Sequence, residues 1–296
     1  PNIEIEYSYG PEKLDPIYTG KVTTDKNGFA KIKVKGRKEP GFTTVKVWTN
    51  HNGQKYQNMT NIGYEPYEIK PTTTLPEDFK EFWDNELAKA AKVPMLTRVE
   101  YVAEQSDDKV DVYNVRVQSY KRGNYIYGVL SVPKSEGKKA AILRLPGAAV
   151  RSFSGPNSLA YEGFIVFEIG VHGIPVDHDP EMYRALSSGP LGGYATIGLE
   201  DKNTFYYKRV YLGCVRAIDY LCSREDVDSE RIAVYGGSQG GMLSIVTAAL
   251  DKRVSAMVCY LPAFCDVTGY YYGRSGGWTE KIRNKNESNI EAKIET

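Results

Sequence analysis

Over the first seventy residues, apolar and polar positions alternate with a period of two, in short runs broken by turn residues. Ile3-Glu4-Ile5-Glu6-Tyr7 precedes Gly10-Pro11, and Gly20-Lys21-Val22-Thr23 precedes Asp25-Lys26-Asn27-Gly28. Ala30–Lys35 alternates cleanly, as does Thr44–Thr49 ahead of the turn Asn50-His51-Asn52-Gly53. Period-two patterning between Gly, Asn and Pro turns predicts a small immunoglobulin-like β-sandwich over residues 1–70. Trp48 and Tyr56 are its candidates for a sugar-stacking platform, against a plain packing role; His51, in a turn, is expected to face solvent.

The pattern then changes period. Lys70-Pro71-Thr72-Thr73-Thr74-Leu75-Pro76 has linker composition, and behind it Phe79, Phe82, Trp83, Leu87 and Ala91 recur at helical spacing until Pro94. Residues 71–97 therefore read as a linker and a docking helix with its aromatic face buried. From residue 98 onward, Val110–Val117 and Tyr125–Val132 alternate like a half-exposed hairpin. Ala140–Leu145 and Gly163–Ile169 are more uniformly apolar, as strands covered on both faces must be. A long helix is predicted over Asn203–Cys222, with Tyr207, Val210, Tyr211, Cys214, Ile218 and Leu221 along one side. Strands alternating with helices define an α/β fold, a mostly parallel sheet with helices on both faces.

The candidate chemistry sits at Arg231-Ile232-Ala233-Val234-Tyr235-Gly236-Gly237-Ser238-Gln239-Gly240-Gly241. A β-rich run enters a glycine-flanked serine, and a segment of helical composition leaves it. That order is what a G-x-S-x-G nucleophile elbow requires, because the serine occupies a sharp turn whose neighbours must be small. A glycine-rich turn in an ordinary α/β protein is the plainer alternative, and the strand ahead and helix behind weigh against it. Ser238 is the candidate nucleophile, and the backbone N–H of Gln239, at the positive end of the following helix, a candidate oxyanion donor.

Composition narrows the partners. With 38 Lys and Arg against 37 Asp and Glu among 296 residues, nothing points to nucleic acid or an acidic membrane surface. No apolar run reaches the roughly 20 residues of a transmembrane helix. Beginning at Pro1 without an initiator methionine, the chain reads as a processed or trimmed one. Cys214, Cys222, Cys259 and Cys265 lack metal-site spacing and are expected as buried free thiols. The 23 tyrosines suit sugar sites and aromatic cores equally.

Four segments carry a family resemblance: Pro76-Glu77-Asp78-Phe79-Lys80-Glu81-Phe82-Trp83, Ile126–Pro133, Gly236-Gly237-Ser238-Gln239-Gly240-Gly241 and Ala249-Leu250-Asp251-Lys252-Arg253-Val254. Together they resemble the acetyl xylan esterase and cephalosporin-C deacetylase family of α/β-hydrolases, from residue 75 onward. The resemblance implies removal of acetyl groups from xylose-containing sugars by serine, histidine and aspartate, with no metal or organic cofactor. It implies Ser238 as nucleophile and the Gln239 N–H as one oxyanion donor. Pro146-Gly147-Ala148 stands where the family usually has His-Gly-Tyr, so Ala148 matches the second donor.

Two departures follow. The family's Arg-Gly-Gln-Gly is replaced by Gly170-Val171-His172-Gly173, which alters the acyl-pocket loop. No histidine follows Ser238, the three in the chain being His51, His172 and His178. A hydroxyl nucleophile needs a base, and three readings stay open. The final strands, with the acid and the histidine, are expected beyond Thr296, so that residues 98–296 form an α/β-hydrolase domain lacking its last strands and Val254–Tyr260 becomes an open edge. Alternatively His172 is the base or a pocket residue, with Asp251 or Asp266 as a possible acid; or the protein is a catalytically silent, glycan-binding relative. The segment before Thr296 is charged and reads as helical. A prolyl-oligopeptidase-type peptidase shares the elbow but carries a far longer β part. A polymer substrate suggests an extracytoplasmic location, and oligomeric state is not legible.

Overall fold

The computed structural model describes residues 2–279, and the chain divides into two compact units. The C-terminal segment read as helical, residues 280–296, lies outside the described residues.

One unit holds residues 2–74 together with 266–279. Strands β1 (Glu4–Pro11), β2 (Tyr18–Thr23), β3 (Gly41–His51) and β4 (Gln54–Tyr64) form an antiparallel sheet in the order β2-β1-β3-β4. The β3–β4 hairpin closes through Asn52 at φ 51° and Gly53 at φ 76°, the two left-handed residues of a type I′ turn whose twist suits the strands. Ala30–Lys35, expected as a further strand, joins no ladder. Its alternation survives only as burial, with Ile32 and Val34 half-buried and the lysines exposed. Among the described residues no second sheet therefore completes the expected sandwich. The stacking platform also fails on register. Trp48 pairs with Gln57 and Tyr56 with Thr49, so the two aromatics point to opposite faces.

The second unit, residues 75–265, carries the seven-stranded sheet. Its strands are β5 (Thr97–Tyr101), β6 (Val110–Gln118), β7 (Tyr125–Pro133), β8 (Lys139–Leu145), β9 (Ile165–Gly170), β10 (Val227–Gly237) and β11 (Val254–Tyr260), in the order β11-β10-β8-β9-β7-β6-β5. β8, β9, β10 and β11 pair in parallel; β5, β6, β7 and β9 pair antiparallel. The helices are α1 (Phe79–Ala91), α2 (Pro180–Ser188), α3 (Tyr206–Cys222) and α4 (Gln239–Leu250). This mixed sheet with helices is the α/β-hydrolase architecture read from the sequence. The short, wholly exposed β5 and helix α2 were not legible there.

β8 and β9, apolar apart from Lys139, Arg144 and Glu168, form the centre, and Leu143, Ile165, Phe167 and Ile169 are essentially inaccessible to solvent. Against them α3 packs Tyr207, Cys214, Ile218 and Leu221, the side predicted from helical spacing. Each such aliphatic side chain contributes about 1.5–3 kcal/mol by leaving water. Helix α1 is held at its C-terminal end by buried Arg216, which donates to the carbonyls of Ala90 and Val93. Midway along it, Glu86 pairs with Lys208 of α3 at 2.7 Å. Its aromatic face is less covered than expected: Phe82 and Trp83 are half-buried and Phe79 is 40% exposed, all three lining an apolar cavity. Cys214 is buried and Cys222 and Cys259 are half-buried, while Cys265 is exposed rather than buried.

β11 is the edge of the sheet among the described residues, and it leaves Met257, Val258 and Tyr260 about half exposed. No helix among the described residues is long and apolar enough to cross a membrane.

Candidate active site

The order β10-β8-β9 means that the chain leaves β8 for one side, then returns through α3 to the other. The crevice at the carboxyl ends of β8 and β10 is such a switch point, where ligands of open α/β sheets bind. Ser238 stands there, between the last residue of β10 and the first of α4.

Its backbone, at φ 56° and ψ −122°, lies in a region that side chains rarely occupy. The surroundings hold it there. The Ser238 N–H donates to Tyr260 O at 3.1 Å, and its carbonyl accepts from the N–H groups of Met242 at 3.1 Å and Ala263 at 3.0 Å. Close approach explains the glycines. A Cβ on Gly240 would lie 2.1 Å from Leu145 O, and one on Gly236 would lie 2.5 Å from the Gly240 carbonyl. Ser238 itself is exposed, although residues 239–244 behind it are buried.

Gln239 occupies the first position of α4, where the backbone N–H has no intrahelical acceptor. Its side chain, 0% exposed, is fully engaged. Oε1 accepts from Tyr194 Oη at 2.7 Å and from Tyr207 Oη at 2.6 Å, and Nε2 donates to Pro146 O at 3.2 Å. Burial pushes the Tyr194 phenol up to about 12 and the Tyr207 phenol higher still, so both stay protonated donors. The side chain therefore clamps the loop after β8 to the start of the elbow helix. Ala148 follows in that loop, exposed at the mouth of the crevice.

His172, just after β9, reaches the same loop. Its Nε2 is 2.9 Å from Ala149 O and its Nδ1 2.6 Å from Tyr206 Oη. A carbonyl can only accept, so Nε2 carries the proton and Nδ1 accepts from the tyrosine. Burial lowers the affinity of the ring for a second proton, and the neighbouring Arg209 lowers it further. Both nitrogens are thus occupied, and no hydrogen bond joins His172 to Ser238 among the described residues.

The two candidate acids have other partners. Asp251 caps the far end of α4 and binds Arg253, which also binds Asp219. Twelve residues of helix place it about 18 Å along the axis from Ser238. Asp266 is bound by Thr72 and Arg274; burial alone would raise its pKa, and these two partners hold it below the ordinary carboxylate value. His51 and His178 are exposed. No cluster of three or more potential metal ligands occurs among the described residues.

Sequence reasoning missed the roles of Tyr194 and Tyr207 and of the Gln239 side chain. The only available signal was a glutamine inside an otherwise apolar and glycine-rich stretch, which burial obliges to find polar partners.

A sharp strand–serine–helix turn at the switch point of a mixed sheet is the architecture of the α/β-hydrolase fold. The chain belongs to the acetyl xylan esterase (AXE1) family, whose model matches residues 63–271. Acetyl esterase Axe7A of Xylanibacter ruminicola is 38% identical over 290 residues, covering 96% of this chain and 65% of that protein. The chain thus spans just under two thirds of that relative's length. Among solved structures, the acetyl xylan esterase from Paenibacillus sp. R4 superposes with a TM-score of 0.63 at 31% identity, over 76% of this chain and 75% of that one. Acetyl xylan esterase 1 from Thermoanaerobacterium sp. matches with a TM-score of 0.63 at 25% identity, over 75% and 73%.

Proposed function

We propose that the protein is a serine carboxylic-ester hydrolase that removes acetyl groups from xylan, xylo-oligosaccharides or related acetylated sugars. The observation that carries this reading is the exposed Ser238 at φ 56°, at the head of α4 and beside the loop 146–149. Family membership and the acetyl esterase relative supply the acyl group.

In this mechanism Ser238 Oγ attacks the acetyl carbonyl. The Gln239 and Ala148 N–H groups donate to the oxyanion as the tetrahedral intermediate forms. The hydroxyl proton of Ser238 passes through a general base to the leaving oxygen as the ester C–O bond breaks, so the sugar departs as an alcohol, and water hydrolyses the acetyl-enzyme to acetate and free serine. His172 serves as a brace of the oxyanion loop, because both its nitrogens are already engaged. The substrate is an acetylated carbohydrate, and a polymer of that kind goes with an extracytoplasmic, secreted enzyme of xylan degradation.

The test is hydrolysis of an aryl acetate and release of acetate from acetylated xylan, with Ser238→Ala alongside. Turnover by the protein that disappears in the variant is the expected result. Deacetylation undiminished by Ser238→Ala sinks the assignment.

A further inference from the structure

His172 also lines a polar cavity of about 140 Å³. Its walls come from the turn between β6 and β7 (Ser119, Asn124), from residues 170–173 after β9, and from Arg209 in the first turns of α3. Arg209 is the one charged residue in that wall, and no wall residue is acidic.

The guanidinium is placed but not neutralised. Its Nη2 donates to His172 O at 3.4 Å, and its carbon sits 4.1 Å from the centre of the Tyr206 ring. Nη1 lies beside the wall at Gly173, 3.2 Å from where a Cβ would stand. Among the described residues Arg209 forms no ion pair, whereas Arg216, Arg224 and Arg253 of the same unit each bind a carboxylate; Arg116, stacked on Tyr125, is likewise without one. Two further wall residues have unused capacity. The Asn124 amide makes no side-chain hydrogen bond among the described residues, and Ser119, 2% exposed, has an Oγ with no partner. The Ser119 Oγ is thus a buried polar atom without a partner beside an arginine that has no carboxylate, an arrangement that a ligand would relieve.

We propose that this cavity is a binding site for a small carboxylate, held in the fork of Arg209 with Asn124 beside it. A planar carboxylate suits two parallel N–H donors, and the wall offers no acid to repel it. The carboxylate has two possible sources, free acetate or the acid group of an acidic sugar. Either would sit against the backbone of His172, whose ring holds Ala149 of the loop after β8. The site stands on this geometry and not on the ester-hydrolase reading. Binding is measurable without turnover, and Ser238→Ala must bind as the unmodified protein does.

The experiment is isothermal titration calorimetry of the protein with sodium acetate and, separately, sodium glucuronate, against sodium chloride at equal ionic strength and neutral xylose. Saturable one-to-one heat from either carboxylate, and none from chloride or xylose, is expected. Tighter glucuronate would assign the site to an acidic sugar, and binding by acetate alone would assign it to the free acid. Arg209→Gln should weaken binding at least about tenfold. Arg209→Lys, which keeps the charge but loses the fork, should weaken it less, and Asn124→Ala should weaken it about threefold. The two milder variants carry the test should Arg209→Gln fail to fold. No saturable heat from either carboxylate, or affinity unchanged in the folded variants, overturns the proposal.

Discussion

The Tyr207 hydroxyl donates to Gln239 Oε1 at 2.6 Å, joining the first turn of the sheet-covering helix α3 to the first residue of the elbow helix α4. Tyr194 donates to the same oxygen at 2.7 Å, and the other end of the amide reaches Pro146 O. One buried side chain therefore sets the spacing between the serine turn and the loop that carries Ala148.

Because Oε1 has two donors, removing one leaves it satisfied. Tyr207→Phe or Tyr194→Phe alone should each cost about 0.5–1.5 kcal/mol of unfolding free energy. The double variant strands a buried acceptor and should cost more than the sum by about 1 kcal/mol or more. Urea unfolding of the four proteins completes the cycle; strict additivity would mean that the two hydroxyls do not share the acceptor.

Gln239→Ala removes the clamp while keeping the backbone N–H. Under the proposed reaction, kcat for an aryl acetate should fall roughly ten- to a hundredfold from misplacement of the oxyanion loop, with KM little changed. A change confined to KM would show that the clamp positions substrate rather than the loop.

His172 gives a pH signature. Its folded pKa lies below the unfolded value of about 6.5, so on acidification the unfolded chain takes up the proton first and stability falls. The loss begins as pH drops through the mid-sixes and ends at the folded pKa, with a slope of at most about 1.4 kcal/mol per pH unit. The carboxylates with lowered values, such as Asp107 and Asp228, titrate at lower pH and leave this window to histidine. Thermal denaturation between pH 7 and pH 5 should show the slope in the protein and a flatter profile in His172→Gln. Equal slopes would assign it elsewhere.

Arg216 joins α1 to α3 beside the Glu86–Lys208 ion pair. Arg216→Leu takes its donor from the Val93 carbonyl and one of two donors from the Ala90 carbonyl, which keeps the Val93 N–H, and should destabilise by about 1–3 kcal/mol. Amide exchange in α1 should accelerate more than exchange in β8 and β9. Uniform acceleration across the unit would show that α1 does not open on its own.

The sequence was most legible where one physical demand dominated. Predominant apolarity marked β8 and β9, helical spacing marked the buried side of α3, and close backbone packing left its record in Gly236 and Gly240. Alternation was less decisive. It registers one-sided exposure, so Ala30–Lys35 showed the pattern without acquiring a ladder partner, and the fully exposed β5 had no pattern to show. For the site, a serine turn is written locally and could be read. The partners of Gln239 come from positions 45 and 32 residues away, and those of His172 from 34 and 23, so only the fold brings them together. The Trp48 and Tyr56 pairing failed for a local reason, since register separates them onto opposite faces.

The 2.1 Å approach of a Gly240 Cβ to Leu145 O has a bearing on how this protein can diversify. Any side chain there would force apart β8 and α4, the two elements beside which the proposed reaction is placed, so the turn itself cannot be retuned in small steps. Under the proposed reaction, lineages or laboratory libraries seeking new ester preferences would draw their variation from the rim, residues 148–151 and 172–175, where side chains are exposed or half-buried. The serine turn would come through such selection unaltered while the chemistry around it changed hands.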